Sequence, residues 1–129
     1  IFHSLLNNNN IINIFNFIII IASHIHLIIQ NPDVAGFLRD FKKYTAFTLM
    51  KNLRKTEPLV AKLFEQPEGK YQIWAKSNMP ILLESEEVYQ QKKEYIEQNP
   101  VVKNYVMDPS YWHWSSANSY SPIHVSQLS

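Results

Sequence analysis

The sequence predicts a mixed α/β protein, and three stretches of the chain support this prediction. Residues 18–30 form a β-branched apolar run, which is typical of a buried strand. Two further stretches, one starting at Val34 and one over residues 84–98, have helical periodicity. With 129 residues, 46% of them hydrophobic, the chain can bury one core and is too short for two ordinary domains.

The apolar run carries His24 and His26, which are separated by one residue. Side chains two residues apart on a strand point to the same face, so the two imidazoles are expected to converge while Ile25 and Leu27 face the other way. Such a pair is the ligand type of a metal site. Two histidines on a strand are also common as structural or surface residues, and spacing alone leaves both interpretations open.

The first helix is expected to begin after Asn31-Pro32-Asp33, with Asn31 or Asp33 as its cap, and to run for about five turns. Basic residues lie mostly off its apolar stripe. These basic residues form either a face exposed to solvent or, because an aromatic ring lies beside them, a surface that binds the phosphates of a nucleic acid. The candidate DNA-binding residues are Arg39, Lys42, Lys43, Tyr44 and Lys51.

The middle of the chain is expected to be broken into short elements. Pro58, Pro67 and Gly69 confine a short helix to residues 59–64 and mark a turn after it. Residues 71–74 alternate in polarity and predict a strand, and residues 81–83 predict a short extended piece.

The second long helix covers residues 84–98, with Ser85 as its cap and Pro100 expected to end it. Tyr95 and Asn99 are four residues apart and therefore neighbours on one helical face. Tyr95 alone would be interpreted as a packed aromatic residue, and its spacing to Asn99 distinguishes it from Tyr89. The tail that follows is aromatic, and Trp112 and Trp114 are expected to pack against the body of the protein.

Composition excludes several classes of function. The chain has no cysteine, which removes disulfides, thiolate catalysis and cysteine zinc sites and is compatible with a cytoplasmic protein. Residues 11–29 have membrane-spanning length, but polar side chains interrupt them, so a strand is preferred to a spanning helix or signal segment. The formal net charge is only +1, although positive charge gathers between Arg39 and Lys55.

Five blocks occur in an order that resembles a known family, the REP-associated tyrosine transposases, which belong with the single-tyrosine HUH transposases of the smallest bacterial insertion sequences. The resemblance covers residues 18–120. The blocks are His24-Ile25-His26 in its apolar strand, the helix around residues 37–46, the segment of residues 71–74, the helix end over residues 94–101, and Trp114-Ser115-Ser116-Ala117.

The resemblance implies a ferredoxin-like α/β sandwich, with an antiparallel sheet and helices on one face. It implies an enzyme that cleaves and rejoins single-stranded DNA near hairpins through a 5′-phosphotyrosine link. Tyr95 then matches the nucleophile, and His24, His26 and Asn99 match the ligands of a divalent metal, Mg²⁺ or Mn²⁺. The implied partners are single-stranded or hairpin DNA and a second copy of the chain in a homodimer, with no membrane, in the bacterial cytoplasm at the nucleoid.

The chain also departs from the family pattern. Residues 1–17 are expected to be a degenerate or truncated segment that lacks the first strand. The sequence that starts at Ile1 is then a fragment or an incompletely called reading frame, and residues 121–129 are a tail. Ile21-Ala22-Ser23 replaces the usual Met-Pro-Asn or Met-Ser-Asn turn before the histidines. Because of these departures, an alternative is that the protein is a truncated or inactive remnant that only binds hairpin single-stranded DNA. A third alternative is a structural or membrane-associated protein assembled through its isoleucine-rich run.

Overall fold

The computed structural model describes residues 2–5, 14–77 and 80–125, and it has the α/β composition that the sequence predicts. The chain divides into two compact units, Ile1–Pro32 with Asn78–Ser129, and Asp33–Ser77. The first unit holds β1 (Phe2–Leu5), β2 (Ile14–Ile21), β3 (His24–Gln30), β4 (Ile81–Leu82) and α3 (Glu86–Val102), and the second holds α1 (Val34–Thr56) and α2 (Pro58–Ala61).

The four strands form one sheet in the order β2-β3-β1-β4. β2 and β3 are an antiparallel hairpin, whereas β1 runs parallel to both β3 and β4. The prediction of an antiparallel sheet therefore holds for the β2–β3 pairing and is wrong for the other two pairings. The strand expected to be missing is also present, because residues 2–5 pair with β3. β3 is apolar and mostly buried, and a buried strand needs partners for its backbone groups on both edges.

The hairpin decides which way the histidines face. Ile19 lies opposite His26 and Ile21 lies opposite His24, so these four side chains share one face of the sheet. Ile19 and Ile21 also belong to the buried core that includes Tyr89 and Ile96 of α3. The two histidines therefore face the side of the sheet on which α3 packs. The apolar run of residues 18–30 is thus the end of β2, a turn at Ala22 and Ser23, and β3.

The aromatic tail covers the outer edge of β2. The backbone N–H of Ile20 donates to the Trp114 carbonyl at 2.8 Å, and the N–H of Ser116 donates to the Ile18 carbonyl at 2.9 Å. The Ser116 hydroxyl bonds both backbone groups of Ile18. Trp112 packs against the core and donates its Nε1–H to the Ile20 carbonyl at 2.8 Å, as expected, whereas Trp114 is half exposed.

α3 begins as the sequence predicts and ends later than expected. Ser85 caps it by accepting a hydrogen bond from the Val88 N–H. The helix continues through Pro100 to Val102, so the prediction that proline ends it is wrong. Proline removes one N–H donor, and here its buried carbonyl accepts a hydrogen bond from the Tyr105 N–H at 2.9 Å. The helix instead ends where Asn104 adopts a left-handed φ of 59°.

In the second unit, Asp33 is the cap of α1, since its side chain accepts from the Gly36 N–H at 2.9 Å. The predicted short helix is α2, which is shorter than expected. Residues 71–74 are not a strand, and Tyr71 makes only an isolated bridge to Glu65. Trp74 is held by α1 instead, where it donates to Thr45 Oγ1 at 2.9 Å, so the alternation reflects packing on a helix.

The described residues contain no helix that combines the length and apolarity needed to cross a lipid bilayer.

Candidate metal and nucleophile site

The two histidines meet at the start of β3, directly after the hairpin turn. Their Nε2 atoms are 3.1 Å apart and their ring planes are nearly perpendicular, at 83°. His26 is buried, with 1% of its surface exposed, and His24 is partly exposed. One imidazole is thus fixed in the core while the other borders solvent.

Ser23 supports the outer histidine. Its Oγ lies 3.1 Å from His24 Nδ1. With Nδ1–H donating to this hydroxyl, His24 keeps a lone pair on Nε2, the atom that points at His26. The Ile21-Ala22-Ser23 turn therefore supplies a partner for His24 although it departs from the family pattern.

The environment of His24 favours its neutral form. Burial is the main cause that lowers the pKa of this imidazole, and positive charge, the smallest part of it from Lys103, lowers it further. A metal binds only the neutral ring. Because its pKa is lowered, His24 can bind a metal at a lower pH than an ordinary histidine can.

The spacing of the two nitrogens fits a shared divalent ion. Imidazole nitrogens lie about 2.0–2.1 Å from a bound zinc ion, so two that bind one ion at a right angle are about 3 Å apart. The 3.1 Å between the Nε2 atoms of His24 and His26 matches this spacing, and it is equally the length of the hydrogen bond that one imidazole donates to the other when no ion lies between them. In the part of the chain that the structure describes, no cluster of three or more His, Cys, Asp or Glu side chains has metal-binding geometry, so a third protein ligand has to be another residue type.

Asn99 has the properties of such a ligand. Its side chain is 9% exposed, and its Oδ1 is buried with no hydrogen-bond partner among the described residues. A buried acceptor left unsatisfied costs about 1–3 kcal/mol. Amide oxygens are ligands of Mg²⁺, Mn²⁺ and Ca²⁺, so a cation at this oxygen would offset the cost.

Tyr95 lies one turn before Asn99 on α3 and faces His26. The ring centroids of Tyr95 and His26 are 6.4 Å apart, with perpendicular planes. Tyr95 is 59% exposed, so its hydroxyl group can meet a substrate from solvent. Tyr89 is in the core instead, where burial, followed by the charges of Glu86 and Glu97, raises the pKa of its phenol. Of these two tyrosines, Tyr95 is the one placed for chemistry.

The structure therefore brings together His24 and His26 of β3 and Tyr95 of α3 within its first unit. Asn99 lies one turn after Tyr95 on α3. The candidate DNA-binding residues all belong to α1, in the second unit. Arg39 is paired with Asp40 at 2.9 Å, and Lys42 donates to the Ala75 carbonyl at 2.8 Å. Arg39, Lys43, Tyr44 and Lys51 are exposed, and of these only Arg39 is in an ion pair within the described part of the chain.

Two features of the site were missed in the sequence. Ser23 was interpreted only as part of a turn, although a hydroxyl residue directly before a histidine can reach that residue's own ring. Lys92, whose Nζ lies 6.0 Å from the centroid of the Tyr95 ring, is three residues before the tyrosine and could have been found from helical spacing.

Comparison of the chain with protein-family models, with curated proteins and with solved structures found no match. Arguments about function therefore depend on the site itself and on the sequence blocks described above.

Proposed function

We propose that this protein is a metal-dependent tyrosine nuclease of the transposase type, which cleaves and rejoins single-stranded DNA next to hairpins on a ferredoxin-like scaffold. The observation that carries the proposal is the convergence of two imidazole nitrogens 3.1 Å apart with an exposed tyrosine ring edge-on to one of them. The five sequence blocks that resemble the tyrosine transposases support the same function.

In the proposed reaction, the Tyr95 oxygen attacks the scissile phosphorus and loses its proton. The bond from phosphorus to the 3′ oxygen breaks, and that oxygen takes up a proton to become a free 3′-hydroxyl. The DNA end is left joined to Tyr95 by a 5′-phosphotyrosine bond. Because one phosphodiester replaces another, the 3′-hydroxyl of a second strand can reverse the step and rejoin the DNA.

His24, His26 and Asn99 would hold the divalent ion. A free tyrosine has a pKa near 10 and is a poor nucleophile at neutral pH. When bound, the ion would supply Lewis-acid polarisation of the phosphate and would stabilise its developing charge. Two imidazole ligands suit Mn²⁺ better than Mg²⁺, and the amide oxygen suits both. The protein fixes the ligands through the β3 register and the Ser23 contact, and it orients Tyr95 through the packing of α3.

The exposed side chains of α1 are the proposed sequence-independent contact with DNA. Lys43 and Lys51 would neutralise phosphates, and Tyr44, 72% exposed, would stack on an unpaired base. Arg39 and Lys42 join this surface only by giving up their present partners, so they are expected to contribute less.

The proposal is tested by incubating the protein and Mn²⁺ with a hairpin deoxyoligonucleotide that carries a single-stranded flank and a label. The expected result is a covalent protein–DNA adduct that survives denaturation. Tyr95→Phe removes the phenol oxygen and should abolish the adduct. Tyr89→Phe is the matched control on the same helix and should retain it.

The binding-only alternative predicts a different result from the same assay. Hairpin DNA would then retard the protein in a native gel, but no adduct would form under any metal condition. An adduct that persists in Tyr95→Phe would assign the nucleophile to another residue and overturn the proposal.

A further inference from the structure

The face of α3 that carries Tyr95 and Asn99 also carries two lysines. With 3.6 residues per turn, Lys92, Tyr95, Asn99 and Lys103 fall within about 80° of arc around the helix axis. Lys92 lies one turn before the tyrosine, and Lys103 lies one turn after the asparagine, as the C-terminal cap of the helix. The proposed nucleophile and ligand are therefore flanked by positive charge on both sides.

Lys92 is adjacent to the tyrosine itself. Its Nζ lies 6.0 Å from the centroid of the Tyr95 ring, and the side chain is partly buried. None of the ion pairs formed by the described residues includes Lys92, although Glu94 and Glu97 belong to the same helix. Its charge is thus not neutralised by a carboxylate and is held beside the proposed nucleophile.

Lys103 is tied to the site by its backbone. Its N–H donates to the Asn99 carbonyl at 3.1 Å, which fixes it one turn beyond the proposed ligand. Lys103 is exposed and, like Lys92, is in no ion pair within the described part of the chain.

We propose that Lys92 and Lys103 bind backbone phosphates on opposite sides of the scissile phosphate, so that the single strand runs along α3 from one lysine to the other. The inference rests on the proposed function, because it takes Tyr95 as the attacking residue. The two lysines are eleven positions apart along α3 and its cap, a rise of about 16 Å, which is enough to span a few phosphates of one strand.

This placement orients the substrate as well as attracting it. A phosphate anchored at each end of the helix face fixes which phosphate of the strand lies opposite Tyr95. The lysines read no base, because ammonium groups are point charges that contact phosphate oxygens of any sequence. They are positioning residues, and base readout has to come from elsewhere on the protein.

The first test is the salt dependence of binding to a hairpin deoxyoligonucleotide with a single-stranded flank, measured without metal so that no cleavage intervenes. Lys92→Gln and Lys103→Gln should each lower the slope of log affinity against log salt by about 0.7. Lys93→Gln is the matched control, since Lys93 is on the same helix and equally partly buried but points about 100° away from Lys92. Unchanged slopes for Lys92→Gln and Lys103→Gln, or an equal loss for Lys93→Gln, would overturn the inference.

Lys92→Arg and Lys103→Arg keep the charge and control for damage to the helix. Both variants should retain the wild-type slope. If an arginine variant loses it, the effect comes from damage to the helix, which would count against the phosphate contacts.

The second test uses the wild-type protein and oligonucleotides in which one phosphate at a time is replaced by an uncharged methylphosphonate. Two replacements, one on each side of the linkage that becomes joined to Tyr95, should weaken binding most. Lys92→Gln should be insensitive to one of them and Lys103→Gln to the other. Sensitive phosphates on one side only would contradict the proposed path.

The two proposals can fail separately. An adduct with unchanged salt slopes would retain the nuclease function and remove the lysine contacts. Reduced slopes without any adduct would retain phosphate binding along α3 and remove the proposed chemistry.

Discussion

At the scale of one residue, the side chain of Asn99 lowers the stability of the folded protein. Its amide oxygen is buried without a hydrogen-bond partner among the described residues, and it lies in α3 beside the buried Pro100. Buried polar groups are normally satisfied, so an exception in a native protein indicates a role that the folded chain alone does not fulfil. A cation would fulfil it.

Replacing Asn99 by leucine should therefore raise stability and remove function. Leucine has a similar size and no acceptor, so the free energy of unfolding without metal should rise by about 1 kcal/mol. The thermal stabilisation that Mn²⁺ gives the wild type should shrink at the same time, since a ligand that binds only the folded state stabilises it by mass action. Thermal melts with and without Mn²⁺ measure both effects.

The control for this prediction is His124→Ala, which removes an exposed imidazole from the tail and should leave the Mn²⁺ shift unchanged. A fall in the metal-free stability of Asn99→Leu would mean that the amide oxygen has a partner. A full Mn²⁺ shift in that variant would exclude Asn99 as a ligand.

Tyr89 gives a second prediction at this scale, through its titration. Its pKa is raised above 10 chiefly by burial, so the folded state holds this proton more tightly than the unfolded chain. The resulting stability is fully present below pH 10 and is lost as the pH rises through the folded pKa. Absorbance titration should show one tyrosine that ionises late and is missing in Tyr89→Phe. A titration curve unchanged by Tyr89→Phe would show that another tyrosine titrates last.

At the scale of the elements, local patterns predicted the start of α3 and the convergence of the histidines. Ser85 caps a helix whose register follows directly from sequence, and the spacing of His24 and His26 places both on one face. The turn between β2 and β3 was harder to locate in the sequence, because Ala22 and Ser23 interrupt the apolar run without a glycine or proline. Local pattern also failed at Pro100, where tertiary packing of a buried proline outweighs the tendency of X-Pro to leave the helix.

The true end of α3 can be tested at Asn104, which has φ 59°. Its N–H donates to the Val101 carbonyl, and the next N–H donates to the Pro100 carbonyl, the pattern of a left-handed helix cap. Asn104→Ala should lower the free energy of unfolding by about 1 kcal/mol, because a Cβ without a polar group is strained in this conformation. Asn104→Gly should retain or raise it, as urea unfolding would measure. Equal losses in both variants would contradict the cap.

At the scale of the whole molecule, the feature that sequence could not predict is the cover on the β2 edge. Pairing between Ile18 and Ser116 joins residues 98 positions apart, and no local pattern encodes such a partner. An uncovered edge strand is a template for pairing with other chains. The mixed direction of the sheet is equally non-local, since it follows from which strand takes the place beside β3.

Ser116→Ala should weaken this cover without removing the tail. It deletes a hydroxyl that bonds both backbone groups of Ile18, each bond contributing about 0.5–1.5 kcal/mol, so the loss in unfolding free energy should be about 1–2 kcal/mol. Amide exchange at Ile18 should accelerate more than at Ile28 in the centre of the sheet. Ser110→Ala, on the exposed turn before the edge, is the control and should leave exchange at Ile18 unchanged. Equal acceleration at Ile18 and Ile28 would mean that the whole sheet opens rather than its edge.

The same 98-residue separation sets an order of events during synthesis. β2 and β3 can pair as soon as residues 14–30 have left the ribosome, but Ser116, which helps to close their outer edge, is made 98 residues after Ile18. Until residues 114–116 have been made, the isoleucine-rich hairpin has one open edge. A nascent chain that stalls before Trp114 leaves that edge available to a chaperone or to another hairpin of the same kind.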